Sequence, residues 1–520
     1  MGRAAGQSEE SFDPMEATIQ ETQQAMDAGL VTSAGLVRWY LDRIDAYDDL
    51  GPRLNAMVYV NPKALEQAEA LDKEREEKGA RGPLHGIPIV LKDNYDTADM
   101  PTTGGSIALS QLIPPDDAYQ VRKLREAGAV IIGKTNLHEL AAGITTISSF
   151  GGQTRNPYDP TRNPGGSSGG TGAAVAANFA IAGMGSDTCG SIRIPSSHNN
   201  LVGLRGTAGL SSRDGIIPLS HTQDIGGPLA RTVTDLAILL DATVGFDPND
   251  PVTAASKDNI PKSYTEYLDP EGFRGTRIGI LKEVFGDTEV AEVITTAVEK
   301  MKTLGAEIVD VESLDLETRL DDASAIAHEF KFDLMEYLQA TPGAAVQSLG
   351  EILERGLYHE ALKKRFETRN APPSRDTEDY RKTLDKQGAF RNALMSLMSE
   401  MDLDALLYPT IRGKPALLGE PQRGSNCMVS AASGLPAISV PAGFTSDELP
   451  VGVELLGLPF TEPTLIRLAY AFEQATHHRR PPATTPALVN GKVPRLEFLA
   501  TVTGADCVPP VETDKSARGI

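Results

Sequence analysis

Short runs with no polar face constrain this chain more than any other feature of its sequence. Ile87-Pro88-Ile89-Val90-Leu91 and Ala129-Val130-Ile131-Ile132 are continuously apolar, as strands buried on both faces must be. Residues 117–127 lie between them with a helical pattern, so the unit reads strand, helix, strand. Upstream, residues 15–28, 33–47 and 62–78 read as helices, the second carrying Leu36, Val37, Tyr40, Leu41 and Ile44 at spacings of three and four. Residues 56–60 make a short strand between the second and third. Downstream, an alanine-rich helix (171–180) leads into a strand (181–185), and a helix (229–244) follows Pro228. After a Pro/Asp-rich connection come strands 277–281, 308–311, 405–408, 437–440 and 451–456, interleaved with helices 290–304, 321–338, 380–401 and 465–476. The expected architecture is α/β, a single large domain whose central mixed, twisted sheet is covered by helices on both faces. Residues 1–14 are expected as a flexible N-terminus and 15–480 as the domain. Residues 481–520 are expected as a linker and a partly disordered tail with one strand-like run, 496–502.

The 520 residues carry a net charge of −22. A surface that acidic repels phosphate backbones and anionic lipid, which argues against nucleic acid or membrane as a partner. A neutral or cationic small molecule approaches it more easily. Cys189, Cys427 and Cys507 are the three cysteines, too few for a disulfide framework, and the odd number leaves at least one thiol free. A reducing compartment fits best. The first ten residues lack an apolar h-region, and no apolar run approaches the ~20 residues that span a bilayer. The expectation is a soluble, cytoplasmic protein, with a signal already removed left open.

Two serines set in glycine-rich turns carry the chemistry. Ser167 lies in Gly165-Gly166-Ser167-Ser168-Gly169-Gly170, and Ser191 follows 24 residues later in Asp187-Thr188-Cys189-Gly190-Ser191-Ile192-Arg193. Lys92 ends the apolar run that begins at Gly86. Two hydroxyls and an amine suffice for nucleophilic acyl chemistry without a histidine, metal or cofactor. Small residues before Ser191 would let the amides of Thr188, Cys189, Gly190 and Ser191 converge on one point, as an oxyanion hole requires. Each motif also has a plain alternative. Glycine-rich segments are mostly turns, and a lysine at a strand end is mostly a solvated cap. Context favours the chemical reading of Lys92, because the apolar residues before it should deliver it at the sheet's carboxyl end, where desolvation lowers its pKa.

The chain resembles the amidase signature family. The resemblance rests on the stretch from Gly165 to Pro195, on Gly86 to Asn94, and on Gly133-Lys134-Thr135-Asn136-Leu137-His138-Glu139-Leu140. It continues through Asn156-Pro157-Tyr158, Gly226 to Arg231, Gly434 to Pro441 and Pro450 to Gly457. It spans about residues 15 to 480, in the family's order and spacing. It implies that Ser191 is the nucleophile, Ser167 a bridging serine held by a cis peptide, and Lys92 the base. Ser168, Asp187 and Arg193 would support the loops. The implied reaction is hydrolysis of a small-molecule linear amide by a monomer or homodimer. The natural substrate stays open, and esters or carbamates fit the same machinery. So does a glutaminase subunit of a tRNA-dependent amidotransferase, against which Cys189 and the tail after Pro481 argue mildly.

Cys189 departs from the family, many members of which have glycine there. A catalytic cysteine is the sharper alternative, but no paired histidine lies at a recognisable motif nearby. His138, His198 and His221 read as structural, and none forms a zinc motif. The acyl pocket is expected from Gly143, Ile144, Thr145, Thr146 and Ile147 and from the helix around Phe330, Phe332 and Leu334. Gly165-Gly166-Ser167-Ser168-Gly169 also matches G-x-S-x-G, but the two prolines before it make that stretch a loop rather than the strand a nucleophile elbow needs. No Gly-Lys-Ser/Thr follows it, so a phosphate-binding loop fails as well.

Overall fold

The computed structural model describes residues 11–286, 288–489 and 491–494. Within them lie thirteen strands: β1 (Met57–Val60), β2 (Pro88–Lys92), β3 (Val130–Thr135), β4 (Ile147–Ser148), β5 (Gly152–Gln153), β6 (Ala182–Asp187), β7 (Val202–Arg205), β8 (Ile225–Ala230), β9 (Arg277–Ile280), β10 (Glu307–Asp310), β11 (Ala405–Pro409), β12 (Ala437–Phe444) and β13 (Pro450–Leu456). Eleven of them form one sheet in the order β1-β3-β2-β6-β8-β7-β12-β13-β11-β9-β10, and β4 and β5 make a separate ribbon. The sheet is mixed. β2 runs parallel to both β3 and β6, whereas β8 is antiparallel to β6 and β7.

The sheet is packed on both sides, as its apolar strands demand. Along β11, Ala405 and Leu407 join one buried cluster while Leu406 and Tyr408 join another. Neighbours Leu455 and Leu456 of β13 divide in the same way. Side chains alternate across a strand, so two clusters on successive residues mean two covered faces. No helix among the described residues is long and apolar enough to cross a membrane.

Several elements match the periodicity closely, including helices Ser33–Tyr47 and Glu378–Glu400. One does not. The expected helix 229–244 is split into β8, which contains Pro228, and helix Val233–Thr243. Gly226-Gly227-Pro228 looks like a break in a linear reading. In the sheet, a Cβ at Gly226 would stand 2.4 Å from Gln120 Nε2, and one at Gly227 would stand 2.6 Å from the Leu204 carbonyl oxygen. Close packing selects these glycines. β7 and the short helix Arg193–His198 were also not foreseen.

Residues 481–486 lie against the domain rather than away from it. Arg43, fully buried, donates to the carbonyls of Thr485 and Pro486, and Thr484 donates to that of Pro157. The strand expected at 496–502 falls outside the described residues, as do the first ten residues.

The parallel trio β3-β2-β6 sends its carboxyl ends to one edge, the side where open α/β sheets hold ligands. Lys92 ends β2 and Asp187 ends β6. Helix Gly169–Ala176 packs against both strands, which brings the Ser167 turn to the same edge. Its approach is close. A Cβ on Gly170 would lie 2.2 Å from the Asn136 carbonyl oxygen and 2.7 Å from that of Ala56. Gly170→Ala is therefore expected to lower stability by about 2–3 kcal/mol or more, by the cost of overpacking. A melting curve against the parent chain measures it.

Candidate functional site

Lys92 is wholly buried, and its Nζ lies 2.7 Å from Ser167 Oγ, 2.8 Å from Ser186 Oγ and 3.2 Å from the Ser186 carbonyl oxygen. Among the described residues no carboxylate comes within ion-pair distance of it. Burial therefore pushes its pKa down to about 7, against a smaller upward pull from Asp187 and Asp224. Lys134, equally buried on neighbouring β3, has the opposite surroundings, with its Nζ 3.1 Å from Asp93. One buried lysine has a carboxylate partner and the other has none among the described residues.

Ser167 follows a cis peptide bond to Gly166. Its carbonyl accepts from His138 N–H at 3.0 Å. Thr146 holds the turn from the other side, its hydroxyl donating to the Gly165 carbonyl at 2.7 Å and accepting from Gly169 N–H at 3.1 Å. Ser168 links the two serine loops, its N–H donating to the Ser191 carbonyl at 3.1 Å and its hydroxyl to the Ser186 carbonyl at 3.2 Å.

The second loop turns on Asp187 and Arg193, both fully buried. Asp187 accepts from Arg193 Nε at 3.1 Å, from Ile192 N–H at 3.1 Å and from Arg205 Nη1 at 3.2 Å. Burial would raise its pKa, but Arg193, Arg205 and the backbone donor hold it at about 2. Arg193 also meets Glu454 on β13 and donates to the carbonyls of Cys189 and Cys427. Thr188 is fixed separately, its hydroxyl donating to Asp224 at 2.5 Å and its carbonyl accepting from Gln223 Nε2 at 3.0 Å. With the loop so held, the N–H groups of Thr188, Cys189, Gly190 and Ser191 have no acceptor among the described residues. Four adjacent unsatisfied donors can bind a developing negative charge.

Cys189 corrects two expectations. Its sulfur is bonded to that of Cys427 in a disulfide with Cα atoms 5.0 Å apart. Two of the three cysteines are thus oxidised here, against the expectation of reduced thiols, and a sulfur so bonded is no nucleophile. The residues are 238 positions apart, so the linear sequence gives no sign of the pairing.

The expected pocket residues divide. Ile144 is half-buried and packs with Cys189, Ile194, Ile411, Cys427 and Met428 in one apolar cluster beside the second loop. It also crosses the first turn, where a Cβ on Gly166 would lie 2.9 Å from its carbonyl carbon. Gly143 and Thr145 flank it and are likewise half-buried. Phe330 and Leu334 are instead fully enclosed in a separate core with Leu338, Leu362 and Phe366. Helical spacing located them correctly but could not show that both face inward. Of the histidines, His138 and His198 are buried and held below the usual imidazole range by desolvation. His221 is half-exposed beside Asp333.

Ser186, Asn94, Arg205 and Glu454 belong to the same network and were not singled out in the sequence. Asn94 donates to Ser186 Oγ at 2.9 Å, which fixes the hydroxyl beside Lys92. Glu454 carried a legible signal, an acid inside the apolar run Val451-Gly452-Val453-Glu454-Leu455-Leu456.

The model of the family described as Amidase matches residues 35–466. A probable amidase from Arabidopsis thaliana is 35% identical over 494 residues, covering 91% of this chain and 92% of that one. The glutamyl-tRNA(Gln) amidotransferase A subunit of Moorella thermoacetica is 36% identical over 486 residues, covering 89% and 98%. Among solved structures, the native peptide amidase from Stenotrophomonas maltophilia superposes with a TM-score of 0.83 at 38% identity, covering 91% of this chain and 99% of that one. The corresponding amidotransferase chain from Thermotoga maritima gives 0.71 at 28%, covering 93% and 98%.

Asp187→Ala is expected to destabilise the chain by about 3–5 kcal/mol, because it strips a buried guanidinium of its counter-charge. The lost contribution has a pH signature. A carboxylate whose pKa falls on folding stabilises fully above its ordinary range, and this is lost as pH drops towards about 2. Denaturant midpoints from pH 6 downwards should therefore converge for parent and variant, each pH being compared at equal ionic strength.

Proposed function

Because this chain belongs to the amidase (amidase signature) family, we propose that it hydrolyses a carboxylic amide C–N bond through an acyl-enzyme on Ser191, with Ser167 relaying protons to Lys92. The observation that carries the reading is the buried Lys92 amine, 2.7 Å from Ser167 Oγ with no carboxylate partner among the described residues and a pKa of about 7. A neutral amine there accepts a proton, which an ordinary lysine near neutral pH cannot do.

In acylation Ser191 Oγ bonds to the amide carbon. Its proton passes to Ser167 Oγ, whose own proton passes to Lys92 Nζ. Negative charge gathers on the former carbonyl oxygen, within reach of the free N–H groups of residues 188–191. The C–N bond then breaks as the relay delivers a proton to the departing nitrogen. Water repeats the sequence on the ester, which frees the acid and restores Ser191. Asp187 and Arg193 serve as positioning residues, since they touch the loop and not the substrate.

The substrate we infer is a small or peptide-like carboxamide, turned over by the isolated chain. The higher structural likeness to the peptide amidase than to the amidotransferase chain supports this choice. A sequence likeness to an amidotransferase A subunit (36%) on a par with that to an amidase (35%) keeps a glutaminase role as the second reading. Ammonia release from glutamine, compared with that from simple carboxamides and peptide amides, separates them. Turnover confined to glutamine would overturn the first.

Ser191→Ala should abolish labelling by a fluorophosphonate probe, and labelling that persists would move the nucleophile elsewhere. Lys92→Met replaces a costly buried amine with an apolar chain of similar length. It should fold normally yet lose about 10²–10⁴-fold in kcat, the usual worth of a positioned base. In the parent, the active form is the unprotonated amine. The rate should accordingly fall roughly tenfold per unit as pH drops below about 7 and level off above it.

A further inference from the structure

Resting on the reading of residues 188–191 as the oxyanion site, we propose that the Cys189–Cys427 disulfide is a positioning element of that site and makes amide hydrolysis depend on the bridge being oxidised. Cys189 contributes one of the four free N–H groups, while its sulfur ties the loop to Cys427 at the start of helix Met428–Ser433. The packing leaves little slack. A Cβ on Gly190 would lie 2.7 Å from Cys427 Cβ, and Ile194 and Ile411 enclose the same side chain. Cys427 is 7% exposed and set in this cluster, whereas Cys189 is half-exposed in the loop.

Bonded sulfurs sit about 2.05 Å apart, and unbonded ones need roughly 3.5 Å. Cleavage therefore requires the two side chains to separate by more than an ångström. With Cys427 confined, the loop at Cys189 is the part that gives. Oxyanion donors work only within a few tenths of an ångström of their target, and a displacement of about 1 Å costs on the order of 10²-fold. The salt-bridged Arg193 donates to both half-cystine carbonyls, so the loop stays folded when the bridge opens. It loses alignment, not structure.

The cleavage itself balances simply. A dithiol attacks the more exposed Cys189 sulfur as thiolate and releases Cys427 as thiolate. Its second thiol then closes on the first to free Cys189. Two electrons and two protons pass to the pair, and the dithiol becomes a cyclic disulfide.

The test uses the full chain with Cys507→Ser, so that only this pair responds to dithiothreitol. Mass analysis after alkylation scores the bridge. Kinetics are run at 25 °C, with circular dichroism confirming the fold of both forms, because opening a long loop also lowers the melting temperature. We expect the reduced form to lose about 10–100-fold in kcat with KM changed far less, and reoxidation to restore it. Cys427→Ser should behave as the reduced form does and ignore dithiothreitol. Equal kcat in fully reduced and oxidised enzyme would overturn the inference, as would two free thiols in protein purified in air. Fluorophosphonate labelling keeps the premise separate. Failure to label Ser191 in either state overturns the acyl-enzyme reading and this inference together, whereas equal labelling in both states overturns the inference alone.

Discussion

A single buried guanidinium organises the reactive edge of this protein. Arg193 is wholly enclosed, yet it binds Asp187 at the end of β6, Glu454 in β13, and the carbonyls of Cys189 and Cys427. Those partners come from three segments, residues 187–189, 427 and 454, drawn together around one side chain. The Arg193–Asp187–Glu454 arrangement satisfies the requirement that buried charges be paired and hydrogen-bonded. Its consequence is mechanical. Carbonyls 189 and 427 are drawn to one point, the chain between 187 and 193 closes into a tight loop, and the N–H groups of residues 188–191 are left without acceptors among the described residues.

The proposed base depends on the opposite strategy. Lys92 has no counter-ion among the described residues, and Coulombic pull from Asp187 and Asp224 is outweighed by burial. Arg193 and Arg205 are part of the reason, because they already claim the Asp187 carboxylate. Were Asp187 unpaired, its charge would pull the Lys92 pKa upward and leave less of the amine unprotonated near neutral pH. The ion network thus weakens that upward pull on the amine while holding the loop. Ser186 joins the two halves, as its hydroxyl contacts Lys92 and its carbonyl accepts from Ser168.

Much of this was legible in the sequence, for physical reasons that can be named. Lys92 is visible because five apolar or constrained residues precede it, which fixes its strand and therefore its end of the sheet. Ser167 and Ser191 are visible because close backbone approach leaves only small residues around them. β8 is hidden in the sequence because Gly226-Gly227-Pro228 has the composition of a break, and only the neighbouring elements show why positions 226 and 227 carry no side chain. Phe330 and Leu334 were placed on the right helix, but which side of a helix faces a ligand and which faces core depends on what packs there. Ser186 and Asn94 are ordinary polar residues until the sheet sets them beside Lys92. The cysteine pairing is beyond linear reading altogether, since nothing local connects positions 189 and 427.

Backbone chemistry explains how an unusual residue can sit inside the loop. If the N–H groups of residues 188–191 bind the oxyanion, their side chains are free for other tasks, and each takes a different one. Thr188 anchors to Asp224. Gly190 carries none, because Cys427 occupies the space where it would go. Ser191 supplies the proposed nucleophile. Cys189 crosses to Cys427 and joins the apolar wall formed with Ile144 and Met428. A side chain at position 189 is therefore compatible with the chemistry only if it turns away from the donors, and bonding to Cys427 is a direct way to turn it. The small residues of the loop and the cysteine among them answer to the same constraint, which is that, the Ser191 hydroxyl apart, the loop must present its backbone to the substrate.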